Sequence, residues 1–324
     1  MKKILEVENL STYYHTFKGV VKSVDHISFS MNEGEVLGVV GESGGGKSVT
    51  GFSIIRLIDE PGVINADRIM FDGEDLMKKS EKEMTSIRGG KISMIFQDPM
   101  TSLNPVYTIE RQVSEVLKLH QPGITRKQCR ERSLELLKEV GIPNAEERLK
   151  CYPHQFSGGM RQRVVIAIAL ASAPKLIIAD EPTTALDVTI QAQVLKMMTD
   201  LKEKMNTSVI LITHDLGVVA NTCQSVAVIY AGEVVEYGTV EHIFDDPRHP
   251  YTKGLFGSLP KLNSKEKRLK SIPGLMPDPT NLPAGCKFHD RCEFAFSRCI
   301  ESCPHVTEVE PGHQVKCFLE EKEG

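Results

Sequence analysis

The residues Gly41-Glu42-Ser43-Gly44-Gly45-Gly46-Lys47-Ser48 follow the pattern G-x-x-x-x-G-K-[ST], whose glycines let backbone N–H groups turn inward around a phosphate. Lys47 would reach the β- and γ-phosphates, the Ser48 hydroxyl would ligate Mg²⁺, and Val49 follows at the loop's exit. Far downstream, the apolar run Leu176-Ile177-Ile178-Ala179 ends on two carboxylates, Asp180 and Glu181. Asp180 is placed to hold the Mg²⁺ shell and Glu181 to orient and deprotonate water. Adjacent strand residues point to opposite faces, so this pair can serve one site only where the chain bends. Gln97 leaves the end of the run Ile92–Phe96, where it can reach a metal or an attacking water. His214 follows the β-rich run Ser208 to Ile212. A lone histidine is more often structural, but a strand end is where parallel α/β sheets carry their chemistry. In Phe156-Ser157-Gly158-Gly159-Met160-Arg161-Gln162-Arg163, bare N–H groups and a hydroxyl precede a long helical stretch, a second anion site. Taken alone, Ser-Gly-Gly is a common loop.

The elements that must position these groups are readable around them. Val36–Val40 is a buried strand entering the phosphate loop, and Val49, Phe52, Ile55 and Ile58, three apart, predict a helix leaving it. Ile4–Leu10 and Val24–Met31 alternate like half-buried strands, an antiparallel piece ahead of the nucleotide core. Tyr13 and Tyr14 lie between them, one of them an adenine-stacking platform or both ordinary strand tyrosines. Ile69–Gly73 reads as another strand and turn. Thr125-Arg126-Lys127-Gln128 has capping-box form and opens a helix with Cys129, Ser133, Leu136, Leu137 and Val140 on one face, closed by Gly141. Residues 98–170 read as a mostly helical insertion between core strands.

A length of 324 residues suggests two units, and a net charge of −4 offers no basic field for nucleic acid or an anionic membrane. No apolar stretch approaches the roughly 18–20 residues of a spanning helix, and the first residues lack a signal peptide's apolar core. A cytosolic protein is expected, its eight cysteines thiols or metal ligands rather than disulfides. Five of them, Cys286, Cys292, Cys299, Cys303 and Cys317, fall in a Pro-rich tail poor in core residues. Such a segment needs a staple. Their spacing is neither a zinc ribbon's nor a ferredoxin's, which leaves zinc, with help from His289, His305 or His313, an iron–sulfur cluster and buried thiols all open.

Taken in order, these motifs resemble the ATP-binding-cassette (ABC) ATPases over roughly the first 245 residues. The matching features are a Walker A loop at Gly41–Ser48, a Q-loop at Gln97 and a signature at Ser157-Gly158-Gly159. Walker B carboxylates Asp180 and Glu181, a D-loop at Ala185-Leu186-Asp187 and a switch His214 follow. Phe156, Met160 and Gly45 depart from the commoner residues without removing a phosphate-binding group. The resemblance implies an α/β fold. It comprises a P-loop NTPase (RecA-like) core, an antiparallel β subdomain and a helical signature subdomain at about 98–170 in an ATP-binding domain of 1–245. A loop-rich, cysteine-containing extension would span 246–324. It further implies ATP and Mg²⁺ as ligands, with Ser48 and Gln97 on the metal, Tyr14 on the adenine ahead of Tyr13, and Ser157, Gly158, Gly159 and Met160 on the ATP of a head-to-tail partner ATPase.

The element His249-Pro250-Tyr251-Thr252, together with the signature, looks like the oligopeptide and dipeptide importer ATPases of bacteria. That branch implies a peripheral subunit at the cytoplasmic face of the cell membrane. It would pair with a second ATPase beneath two permeases, which are fed by an extracytoplasmic peptide-binding protein. By the same resemblance, Cys286, Cys292, Cys299 and Cys317 would hold a structural [4Fe–4S] cluster, with Cys303 the alternative ligand and Zn²⁺ the alternative metal. Nickel import by the same machinery is the runner-up. A soluble cassette acting on nucleic acid or ribosomes would carry two cassettes, a coiled-coil insert or basic tracts, which this chain lacks. Glu181 and His214 argue against a non-hydrolysing regulatory cassette.

Overall fold

The computed structural model describes residues 2–184, 186–257 and 272–321. Ala185 of the D-loop and Pro260 of the Pro-rich stretch lie outside the described residues. The chain forms two contact-dense units, neither continuous in sequence: residues 1–4, 32–36 and 78–212, and residues 5–31, 37–77 and 213–324.

In the second unit, the strands Lys3–Thr16 and Gly19–Asn32 form a hairpin within a five-stranded antiparallel sheet. Both run well beyond the alternating segments read from sequence, and Tyr13 and Tyr14 lie inside the first strand, opposite Val63 and Gly62. Alternation fails there because polar side chains are buried as well as apolar ones. Thr12 is fully buried with its hydroxyl 2.6 Å from that of Ser53, and the Ser11 hydroxyl accepts the His26 N–H. The strand Val36–Val40, buried throughout, runs parallel to Ser225–Tyr230, which turns back into Glu233–Thr239. Five buried, largely β-branched residues are the expected composition of a parallel strand covered on both faces.

The tail is more regular than its prolines suggested. Pro250 stands first in the helix Pro250–Gly257, where its missing N–H removes no hydrogen bond. The short strands His313–Val315 and Thr307–Glu310 extend the sheet from Glu233–Thr239 outward. Buried Glu236 ties these pieces together, accepting from the backbone N–H groups of Arg248 and His249 and lying 2.9 Å from His313 Nε2.

The first unit contains three parallel strands, Ile92–Ile95, Leu176–Asp180 and Ser208–Ile212, with Leu176–Asp180 in the middle. Residues 98–170 are mostly helical, as their sequence indicates. The Thr125–Gln128 capping box forms at the start of Arg126–Glu139 and buries Cys129, Ser133, Leu136 and Leu137. Among the described residues no helix is long and apolar enough to cross a membrane.

Candidate nucleotide-binding and hydrolysis site

The phosphate loop belongs to the second unit. Gly41 and Gly46 have φ of 150° and 98°, and an added Cβ would stand 2.1 Å from the Ile229 carbonyl oxygen and 2.2 Å from that of Ser23. Only glycine fits both the conformation and the space. The buried Lys47 ammonium donates to the carbonyl oxygens of Gly41 and Glu42, each at 2.9 Å, so the cation closes the loop on itself. Ser43 and Gly44 are exposed, while Gly45 is buried and accepts the Gly232 N–H at 2.9 Å. The helix Lys47–Ile54 begins at Gly46 with Ser48 and Val49 half-buried in its first turn. It stops short of the apolar spacing that ran to Ile58, because Arg56 turns left-handed at φ 53°. The Glu42 N–H is given to the Tyr251 hydroxyl at 2.8 Å, so the tail's His-Pro-Tyr-Thr element supports the loop directly.

The two tyrosines diverge. Tyr13 donates its hydroxyl to buried Asp25 and carries Lys22 over its ring at 5.4 Å; burial and Asp25 push its pKa up to about 12. Tyr14 packs against Gly62 and is half-buried. Exposed His214 precedes Asp215, which caps the helix Leu216–Thr222.

The carboxylates belong to the first unit. Asp180 is buried at the end of its strand, and Glu181 adopts φ 45°, a left-handed conformation rare outside glycine. This is the bend that a pair of adjacent carboxylates requires if they are not to face opposite ways. Gln97 Nε2 donates to Glu181 Oε2 at 3.0 Å, so the structure brings these two sequence-predicted residues together.

Ser157 caps the helix Gly158–Leu170, its hydroxyl accepting from the Met160 N–H at 3.4 Å, and Asp187 caps Val188–Met205 through the Ile190 N–H. Both helix starts face one cavity of about 550 Å³, lined also by Gly158, Gly159 and Met160. The helix start at Ser157 suits an anion, whereas the other is already occupied by the Asp187 carboxylate.

Four of the five tail cysteines, Cys286, Cys292, Cys299 and Cys317, line one small apolar cavity of about 10 Å³ with Phe288 and His289 among its walls. Cys303 does not; it is exposed and points at the carbonyls of Ala284 and Gly285. Burial pushes the Cys286 thiol up to about 12 and Cys317 up to about 11, and neighbouring sulfurs add to both. Among the described residues no three His, Cys, Asp or Glu side chains stand in metal-holding geometry. The cavity's four sulfurs and the His289 imidazole are donor types that soft metals take. Of the histidines considered for zinc, only His289 lines it, whereas buried His313 pairs with Glu236.

Sequence reasoning missed Arg291 and Lys287, which tie the tail to the loop region. Arg291 forms a two-pronged ion pair with Glu42, and Lys287 bonds Asp25 and the Ala231 carbonyl. The available signal was the acidic Glu42 within a loop built for an anion, a charge that calls for a partner.

The family described as "ABC transporter" matches residues 24–184, and "Oligopeptide/dipeptide transporter, C-terminal region" matches 235–299. The chain is 51% identical to the dipeptide transport ATP-binding protein DppD of Lactococcus lactis subsp. cremoris, over 98% of this chain and 91% of that protein. It is 53% identical to the oligopeptide transport ATP-binding protein OppD of Bacillus subtilis, over 98% and 89%. Against Escherichia coli DppD the identity is 48%, over 97% and 96%. Among solved structures, the ATP-binding cassette MJ0796, a dimer in a post-hydrolysis state with ADP and Pi, matches at TM-score 0.65 and 27% identity, covering 73% of this chain and 98% of that one.

Proposed function

Because this chain belongs to the ABC transporter ATPases, in their oligopeptide/dipeptide branch, we propose that it is the ATP-hydrolysing subunit of an importer for di- or oligopeptides. The observation that carries this is 51% identity to a peptide-transport ATPase over nearly the whole chain, together with the loop Gly41–Ser48 in the G-x-x-x-x-G-K-[ST] pattern.

Each residue then has a task. Lys47, which donates to two carbonyls of the loop, would reach the β- and γ-phosphates with its ammonium, and backbone N–H groups of the loop would cradle them. By the family resemblance, Ser48, Gln97 and Asp180 would serve Mg²⁺, and that ion would neutralise charge developing on the γ-phosphate. Glu181 takes a proton from the attacking water, and His214 contacts the γ-phosphate. Tyr14 stacks on adenine, supported by the prior commitment of Tyr13 to Asp25 and Lys22. Ser157, Gly158, Gly159 and Met160, with Asp187 beside them, would present the start of the helix Gly158–Leu170 to the ATP of a second ATPase subunit in a head-to-tail pair. ATP closes the pair and hydrolysis reopens it, a switch held by a phosphate. The pair would sit peripherally at the cytoplasmic face of the membrane beneath two permeases, supplied by an extracytoplasmic peptide-binding protein.

The extension from 246 is read as a structural element. Cys286, Cys292, Cys299 and Cys317 would hold a [4Fe–4S] cluster, supported by their convergence on one cavity and by the exclusion of Cys303 from it. Such a cluster would supply a cross-link between distant parts of the tail, with no part in hydrolysis. The function is tested by co-purifying the chain with its permeases and measuring peptide-stimulated ATP hydrolysis, which must be present and must require the permeases' substrate.

A further inference from the structure

Glu42 is the only acidic residue among the eight of the phosphate loop, whose ligand is a polyanion. An unpaired carboxylate there would oppose ATP by like-charge repulsion. Arg291, from the turn between Cys286 and Cys292, meets it in full: Nη1 donates to Oε2 at 2.8 Å and Nη2 to Oε1 at 3.0 Å. The guanidinium is itself fixed. Its Nε donates to the Pro273 carbonyl at 2.7 Å, Nη1 reaches the Tyr230 hydroxyl at 3.3 Å, and the residue is 9% exposed. Tyr230 packs on Tyr251 at 4.6 Å, and Tyr251 takes the Glu42 N–H. The carboxylate and the backbone N–H of Glu42 are therefore both held by residues outside the loop.

We propose that Arg291 is a positioning residue for nucleotide binding. It neutralises Glu42 and holds its side chain so that the loop can accept a triphosphate. The tail thereby sets the affinity of the phosphate loop through one buried ion pair. Lysine would supply the charge but not the parallel fork that fixes the carboxylate.

The test is MgATP titration of Arg291→Ala in two backgrounds, Glu42 and Glu42→Gln. With Glu42 present, Arg291→Ala weakens MgATP about tenfold, within the range of measured site couplings, and with Glu42→Gln it changes affinity less than about twofold. Arg291→Lys falls between wild type and alanine. The loss with Glu42 present shrinks as salt rises, since it originates in an uncompensated charge. An equal loss in both backgrounds would mean that Arg291 only supports packing, and no loss in either would mean that Glu42 needs no partner; each overturns the proposal. If Arg291→Ala does not yield folded protein, Arg291→Gln gives the same contrast with the same two overturning results. The inference rests on the ATP-binding reading, which the wild-type titration tests separately, because only the contrast between backgrounds bears on Arg291.

Discussion

Gln97 Nε2 and Thr184 Oγ1 converge on one oxygen of Glu181, Oε2, at 3.0 and 2.8 Å. In the role of general base proposed for Glu181, these two neutral donors would hold the carboxylate in one orientation. Gln97→Ala removes one donor. ATP hydrolysis in the assembled importer should slow roughly 10- to 100-fold, because Glu181 loses alignment and Mg²⁺ loses a proposed ligand, the second also weakening MgATP. Parallel titration and steady-state turnover separate the two, and wild-type turnover would show that the contact is incidental.

Lys47→Ala leaves the loop without the cation that now bridges the Gly41 and Glu42 carbonyls. Loss of charge-assisted hydrogen bonds worth about 1.5–3 kcal/mol should weaken MgATP about 10- to 100-fold and take turnover with it. Unchanged affinity together with unchanged turnover would make the loop structural.

Much of this site is legible in the chain because it is local. The strand and helix around Gly41–Ser48, the strand ending at Asp180 and the Thr125 cap each depend on neighbours in sequence, and each element forms where its residues predict. Tyr13 and Tyr14 lie inside the first strand rather than after it, because buried hydroxyls at Ser11 and Thr12 disguise the alternation. The helix at Pro250 was hidden by a residue that breaks helices everywhere except their first turn. The Arg291–Glu42 pair joins positions 249 residues apart, and no local pattern encodes such a contact.

The cysteines give a prediction with a visible readout. Protein purified without oxygen should be brown, absorb broadly near about 400 nm and carry about four iron per chain. Cys292→Ser should lose the iron, and Cys303→Ser, altering a residue outside the cavity, should keep it. Colourless protein with stoichiometric zinc would replace the iron assignment.

Burial alone would raise the Asp25 carboxyl, but the Lys287 ammonium and the Tyr13 hydroxyl outweigh it and hold the group below the usual carboxylate range. A depressed folded-state pKa stabilises the fold above the unfolded value, about 4, and that contribution disappears as pH falls through the folded value. Denaturant unfolding of wild type and Asp25→Asn should therefore differ at neutral pH and converge in acid. A stability gap that stays constant into acid would remove Asp25 from the account.

The most direct test of the whole reading is labelled-peptide uptake by proteoliposomes carrying the chain with its permeases and binding protein, comparing wild type with Glu181→Gln. The account predicts that the variant still binds MgATP and accumulates the closed pair, while hydrolysis falls about 10²- to 10⁴-fold and uptake falls with it. Hydrolysis and peptide uptake at wild-type rates in the variant would contradict it.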